Sequence, residues 1–341
     1  MAKSKADARP GPGKWPAADL ARLLRTYAPA ASDDVILGPA IGEDAAVVRI
    51  GSEPLVVACD PITFTSDSIG YGSVIVNAND VAATGARPRF FLATVLLPVG
   101  VSRGEVEAIF AGLAEACREV GALLVGGHTE RTAGIDRPLV VGTMIGDLEG
   151  REPVLSGGAR PGDRVVVTKG AAIEATALIA RRMGDRLRPV VGDAVVERAR
   201  RYLSDPGISV VRDARIARDA GSSAMHDVTE GGVVTGLWEM ARASGLGLEV
   251  DARAIPVSEE TALLCGAVGI DPLEAIGSGA LLAAGPPDDA ERIAAALSEA
   301  GLRASIVGEF LEEGGACTIR RNGHTRELVP PDADPIARLF D

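Results

Sequence analysis

The chain reads as an α/β (α+β) protein of two domains. Three observations predict this. Short apolar runs alternate with helical stretches along the whole length. The 341 residues are enough for two domains of ordinary size. The Gly/Pro-rich segment SGGARPGD, at 156–163, interrupts the alternation near the middle. We place the boundary there, giving domains 1–155 and 156–341.

The first fifteen residues are polar and rich in Gly and Pro, with no apolar leader core. Residues 16–27 have helical spacing, with Leu20, Leu23 and Leu24 on one side. The tight turn Gly42-Glu43-Asp44 precedes an apolar run. Residues 55–59 read as a strand that ends on Asp60. Residues 69–84 read as a helix weakened by its glycines. On it Asn77, Asp80 and Thr84 share a face, with Val74, Ala78 and Val81 turned to the core. Residues 89–97 form a strand stopped by Pro98. Ser102 and Glu105 make a capping box for a helix reaching Val120. The strand 122–125 then ends in Gly126-Gly127-His128-Thr129, and another strand covers 138–145.

The second half opens with a strand over 164–168, then Lys169-Gly170, then helices over 171–183 and 193–202. The block MHDVTEGG, at 225–232, carries a strand end into a helix that runs to Ala243. Strands follow at 247–250 and 279–284. A helix at 288–300 precedes strands at 303–307 and 317–320.

Composition narrows the function. Hydrophobic residues make up 47% of the chain and aromatics only 3%, so the core is built of Ala, Val, Leu and Ile. A net charge of -12 excludes a nucleic-acid partner but not a nucleotide, because a metal can neutralise the site locally. Cys59, Cys117, Cys265 and Cys317 are far apart, with no metal-ligand spacing, which fits a reducing cytoplasm. No run is long enough to span a membrane.

The chemistry lies in acids at element ends: Asp44, Asp60, Asp80 and, in the second half, Asp227. Converging carboxylates repel, by about 3 kcal/mol per pair at about 6 Å and an effective dielectric of about 20. Such a site makes sense around a hard cation such as magnesium, which takes carboxylate, phosphate and water oxygens. The alternative is that Asp44 and Asp60 serve turns and Asp80 a solvated helix face. Gly126 and Gly127 leave backbone N–H groups open to an anion, or simply make a turn with His128 hydrogen-bonded beside it. Lys169 at a helix start suits an anion too, or is a surface lysine. Asp227 and Thr229 reach a metal, or Thr229 caps the following helix.

Three ordered blocks carry a resemblance: GEDAAVV at 42–48, VVACDPITF at 56–64 and VNANDVAATGARPRFFLATVLLP at 76–98. They resemble the PurM-like (aminoimidazole ribonucleotide synthetase) superfamily over nearly the whole chain. Within it the chain is most similar to the hydrogenase maturation factor HypE. The resemblance implies a homodimer whose N-terminal domains pair into a shared β-barrel, with an ATP cleft nearby. It implies magnesium on Asp44, Asp60, Asp80 and Asp227. It implies nucleotide contacts from Gly42, Gly126, Gly127, His128, Thr129, Lys169 and Thr229, with Asp44, Asp80 and His128 as the catalytic set. His128 stands where HypE and the thiamine-monophosphate kinases carry Asp. No cysteine follows Cys317, whereas HypE ends in the cysteine that carries its carbamoyl group. Gly11-Pro12-Gly13-Lys14 has no cysteine of the selenophosphate synthetase kind.

The expected function is therefore ATP-dependent activation of a substrate amide or carbonyl oxygen by phosphorylation, followed by dehydration or cyclisation. The alternatives are a small-molecule kinase and a maturation protein that binds nucleotide without turnover. The partner is a small-molecule substrate or a maturation protein.

Overall fold

A computed structural model describes residues 16–27, 32–62 and 68–339. The Gly11–Lys14 segment, Thr63, Phe64 and the last two residues lie outside this set. The first half contains α1 (Ala17–Tyr27), β1 (Val35–Leu37), β2 (Ala46–Ile50), β3 (Glu53–Ala58) and β4 (Pro61–Ile62). It continues with α2 (Ile69–Ala83), β5 (Arg87–Leu97), α3 (Arg103–Val120), β6 (Leu123–Arg131) and β7 (Leu139–Asp147). These strands form a seven-stranded sheet in the order β1-β2-β3-β7-β5-β6, with β4 also paired to β7.

The parallel pair β5–β6 is bridged by α3, as a parallel connection requires. Helix α3 starts at the capping box read from the sequence: Ser102 and Glu105 satisfy each other's backbone N–H groups. Helices α2 and α3 cover one face of the sheet. The glycines that weaken α2 as an isolated helix have a packing reason. A β-carbon at Gly70 would lie 2.1 Å from the Ile109 carbonyl oxygen, and one at Gly112 would lie 2.9 Å from the Tyr71 nitrogen. The two helices therefore cross nearly backbone to backbone.

The second half contains β8 (Arg164–Thr168), α4 (Ile173–Val191), α5 (Asp193–Ala199), α6 (Val211–Asp219), β9 (Ala224–Asp227) and α7 (Gly232–Ser244). It ends with β10 (Leu246–Asp251), α8 (Glu259–Val268), β11 (Leu281–Gly285), α9 (Pro287–Glu299), β12 (Ala304–Glu313), β13 (Cys317–Arg321) and β14 (His324–Glu327). A second seven-stranded sheet runs β14-β13-β10-β12-β8-β11-β9. Its central strands are buried on both faces, and successive residues go to opposite cores. Val165, Val167 and Leu282 pack with Val233 and Leu237 of α7. Val166, Leu281 and Ala283 pack with Ala214 of α6 and Ile293 of α9.

Several expectations are corrected. The strand ending at Val125 instead continues as β6 through Gly126-Gly127-His128-Thr129, which pair with Leu92 to Val95 of β5. Gly127 is required there because a β-carbon would lie 1.9 Å from the Ala93 carbonyl oxygen. Thr229 does not cap α7. Gly231 does, in the left-handed conformation at φ 77°. Elements β1, β4, α6, α8 and β14 were not anticipated. Segment 156–163 is more than a linker, since Ser156 is buried where the two halves meet.

Candidate functional site

Helix α2 is the beam on which the site is hung. Three polar residues near its C-terminal half reach in three directions. Asn77 clamps the backbone of residue 60: its Oδ1 accepts the Asp60 N–H at 2.8 Å and its Nδ2 donates to the Asp60 carbonyl at 3.2 Å. Asn79 does the same for the second half, donating to Ile208 O at 2.8 Å and accepting from Val210 N–H at 2.8 Å. Asp80, also buried, lines a cavity. Each amide satisfies one donor and one acceptor of backbone outside the regular elements.

That cavity has a volume of about 570 Å³, in the range of small-molecule sites. Asp44, Asp60, Asp80 and Asp227 all line it, together with Gly42 and Thr229. They come from the turn before β2, the segment after β3, the last turn of α2 and the end of β9. Glu43, Glu230, Glu239, Asp332 and Asp334 bring the carboxylates to nine. Among the described residues, no lysine or arginine lines it.

One basic side chain is built in among the acids. His226, at 5% exposure, lies between two carboxylates: Nδ1 is 2.6 Å from Asp44 Oδ1 and Nε2 is 3.2 Å from Glu239 Oε2. Burial alone would push the imidazole pKa down. The Asp44 and Glu239 carboxylates outweigh that and hold it well above the ordinary histidine value. Ser156 Oγ lies 3.2 Å from the other Asp44 oxygen and 3.3 Å from His226 Nδ1. Glu43 completes the seam, its two oxygens accepting the Ser156 and Gly157 N–H groups at 3.2 and 3.1 Å. Burial raises the Glu43 pKa, and these backbone donors partly offset the rise. Gly42, at φ 88°, lets this turn press on α7, since a β-carbon would lie 2.6 Å from the Glu239 carbonyl oxygen.

A further part of the lining comes from residues 330–334. Asp334 accepts the Gly231 N–H at 2.8 Å and the Ile336 N–H at 3.0 Å, and Ile336 is fully buried. Pro330, Pro331, Asp332 and Ala333 are thereby held along the cavity.

The remaining residues singled out in the sequence lie elsewhere. Gly126, Gly127, His128 and Thr129 are exposed on the edge strand β6, with His128 Nε2 3.1 Å from Glu130 Oε2. Lys169 does not line the cavity. It is buried, 3.4 Å from Asp213 Oδ1, and donates to the Ser209 carbonyl at 2.6 Å. Cys317 is half-buried in β13, a strand flanked on both sides in its sheet. Sequence reasoning missed Glu43, Ser156, His226, Trp238, Glu239 and Asp334. Thr235, Trp238 and Glu239 did carry a signal, because their i, i+3, i+4 spacing puts them on one face of the helix after DVTEGG.

The donor set is all oxygen apart from His226. Among the described residues, no three His, Cys, Asp or Glu side chains are grouped tightly enough to hold a metal ion by themselves. The carboxylate oxygens that line the cavity are of the kind magnesium takes, together with phosphate and water oxygens. Among the described residues, no helix is long and apolar enough to cross a membrane.

Comparison with known proteins gives the family and the fold. The family model of the AIR synthase related protein N-terminal domain matches residues 42–148, and that of its C-terminal domain matches 160–319. A putative hydrogenase expression/formation protein of Methanocaldococcus jannaschii is 27% identical over 306 residues, covering 87% of this chain and 88% of the relative. The carbamoyl dehydratase HypE of Azotobacter vinelandii is 31% identical over 258 residues, covering 74% of this chain and 72% of the relative. A crystal structure of the hydrogenase maturation protein HypE in complex with ATP has the same fold. Its TM-score is 0.70 at 23% identity, covering 92% of this chain and 91% of that one.

Proposed function

The chain belongs to the AIR synthase related protein family, and from that premise we propose that it is an ATP-dependent enzyme that phosphorylates a substrate amide or carbonyl oxygen. One observation carries this reading. Four acids from four separate elements line one cavity that has no lysine or arginine among its described lining residues. A nucleotide phosphate cannot settle among nine carboxylates unless divalent cations come with it. Magnesium bound by Asp60, Asp80 and Asp227, with Asp44 beside them, would supply charge neutralisation of the transferring phosphate.

The protein's own part is positioning. Asn77 fixes the backbone carrying Asp60. His226 and Ser156 fix both oxygens of Asp44. In the transfer, the amide oxygen of the substrate bonds to the γ-phosphorus, the bond to the ADP oxygen breaks, and one N–H proton leaves. The C–O bond then breaks, the second N–H proton leaves, and a nitrile and inorganic phosphate remain. The same activation gives a ring where an internal nucleophile attacks the activated carbon. A carbamoyl dehydratase among the relatives supports the first course.

Further readings follow the same premise. The domains divide near residue 156. The protein works as a cytoplasmic homodimer that pairs through the exposed edge β6, which would also cover the Gly126–Thr129 block. The dimer is supported by strands β5 and β7, whose residues alternate between buried and partly exposed on the side away from α2. A crystal structure of a HypE–HypF complex, 25% identical with a TM-score of 0.65, supports a maturation protein as partner.

The test is ligand stabilisation. Magnesium–ATP at about 100 times its dissociation constant should stabilise the wild type by about 2.7 kcal/mol. Asp60→Asn and Asp80→Asn should lose that stabilisation. Equal thermal shifts in wild type and both variants would sink the assignment. With a substrate in hand, heavy oxygen in its amide should emerge in free phosphate. Retention in a phosphorylated product would make the protein a kinase instead.

A further inference from the structure

The acids account for one part of the cavity lining, and the rest is of another kind. Pro16, Leu20, Ile41, Trp238, Pro330 and Pro331 line the same space. They come from α1, the turn before β2, helix α7 and the C-terminal segment. None of the metal and phosphate chemistry above uses them.

This wall is pre-formed. Asp334 and the buried Ile336 anchor the strap that carries Pro330 and Pro331. Proline rings have no torsions to lose on binding. Trp238 is braced by Arg242, whose guanidinium carbon lies 5.6 Å from the indole centroid. A rigid aromatic beside rigid prolines is a surface for flat or aliphatic carbon, not for a hydrated group. The lining carboxylates in turn select on charge, since an anionic body would be repelled by all of them.

Resting on the phosphorylation reading above, we propose that Leu20, Ile41, Trp238, Pro330 and Pro331 form the subsite for the substrate's body. The substrate class is a small, uncharged primary amide carried on an apolar group. The wall rewards carbon, and the acids hold the phosphate that meets the amide oxygen. A free small molecule suits a cavity of about 570 Å³.

The test is a homologous series measured by calorimetry on the full chain with magnesium and a non-hydrolysable ATP analogue. The probes are acetamide, butanamide, hexanamide and benzamide, with benzoate as the charged control. Affinity should rise about fourfold per added methylene if each is fully buried. Benzamide should bind at least about tenfold tighter than benzoate. Trp238→Ala should flatten the series to less than about twofold per methylene. Leu20→Ser, at a half-buried position outside the core clusters, should flatten it too and guards against a folding defect in the first variant. Both variants should keep the magnesium–ATP thermal shift.

A wild-type series without length dependence overturns the proposal. So does a Trp238→Ala variant that binds magnesium–ATP more weakly but magnesium–tripolyphosphate normally, because the wall would then serve the nucleobase. The two readings fail separately. Normal magnesium–ATP stabilisation with a flat amide series removes only the subsite. A length-dependent amide series without magnesium–ATP stabilisation removes only the phosphorylation reading.

Discussion

Replacing Lys169 separates two roles that the sequence left open. In the structure the ammonium is buried at 4% exposure, beside Asp213 at 2%. It donates to the Ser209 carbonyl at 2.6 Å and to the Gly207 carbonyl at 3.4 Å, and its charge lies 3.4 Å from Asp213 Oδ1. Burial pushes the Lys169 pKa down and the Asp213 pKa up, and each charge partly restores the other. Asp213 Oδ1 has no hydrogen-bond partner, so the lysine charge is its compensation. Lys169 also holds φ at 56°, a left-handed conformation that costs a non-glycine residue about 1 kcal/mol or more.

Lys169→Met should therefore strand a buried carboxylate and two carbonyls. We expect a loss of about 3–5 kcal/mol, the usual cost of breaking a buried pair from one side. In a domain of this size that is a fall of about 10 °C in melting temperature. Asp213→Leu in the Lys169→Met background should recover most of the loss, because apolar replacement of both partners removes the uncompensated charge. Urea denaturation of the two single variants and the double variant measures the coupling. The reasoning is refuted if Lys169→Met is as stable as wild type and loses magnesium–ATP stabilisation instead. Lysine would then be a phosphate ligand.

Two further outcomes follow from the same coordinates. His226 has a folded pKa above its ordinary value, so its contribution to stability is present below about pH 6.5 and is lost as pH rises through the raised value. The stability gap between wild type and His226→Gln should be widest in mild acid and should close in alkali, as followed by denaturation at a series of pH values; a gap that widens with pH would contradict the Asp44–His226–Glu239 bridge. On β6, Leu123 and Val125 are 63% and 54% exposed, and Val125→Lys should convert a dimer to a monomer in light scattering, whereas a wild type that is already monomeric at micromolar concentration would refute pairing through this edge.

Much of this architecture was legible because local rules and tertiary packing agree. The Ser102–Glu105 box, the strand 164–168 and the acids at element ends needed only patterns of a few residues. The GGHT block was misjudged because glycine is a poor strand former, yet at Gly127 the close approach of β5 leaves room for nothing larger. Strands β1 and β4 are only 3 and 2 residues long, too short to show alternation. Helix α6 packs through Ala214 and Ala217, whose small side chains give a weak apolar stripe. The missed site residues share another cause. Glu43, Ser156, His226 and Glu239 meet only when the two halves close on each other, and no local window contains that encounter.

The closure itself explains the arrangement of charge. Asp44 lies in the turn before β2 of the first sheet and Asp227 at the end of β9 in the second, so the acids assemble only across the seam. Bringing them together is unfavourable for every pair. The chain offsets this with groups set at the seam. His226 sets its ring between Asp44 and Glu239, which raise its affinity for a proton, and Glu43 takes two backbone donors from Ser156 and Gly157. Asn79 ties α2 to the loop before α6. Asp60, Asp80 and Asp227 line the cavity beside Asp44. A cation arriving with a phosphate would add positive charge among carboxylates that the fold gathers from both halves, and easing their mutual repulsion would be a source of binding energy.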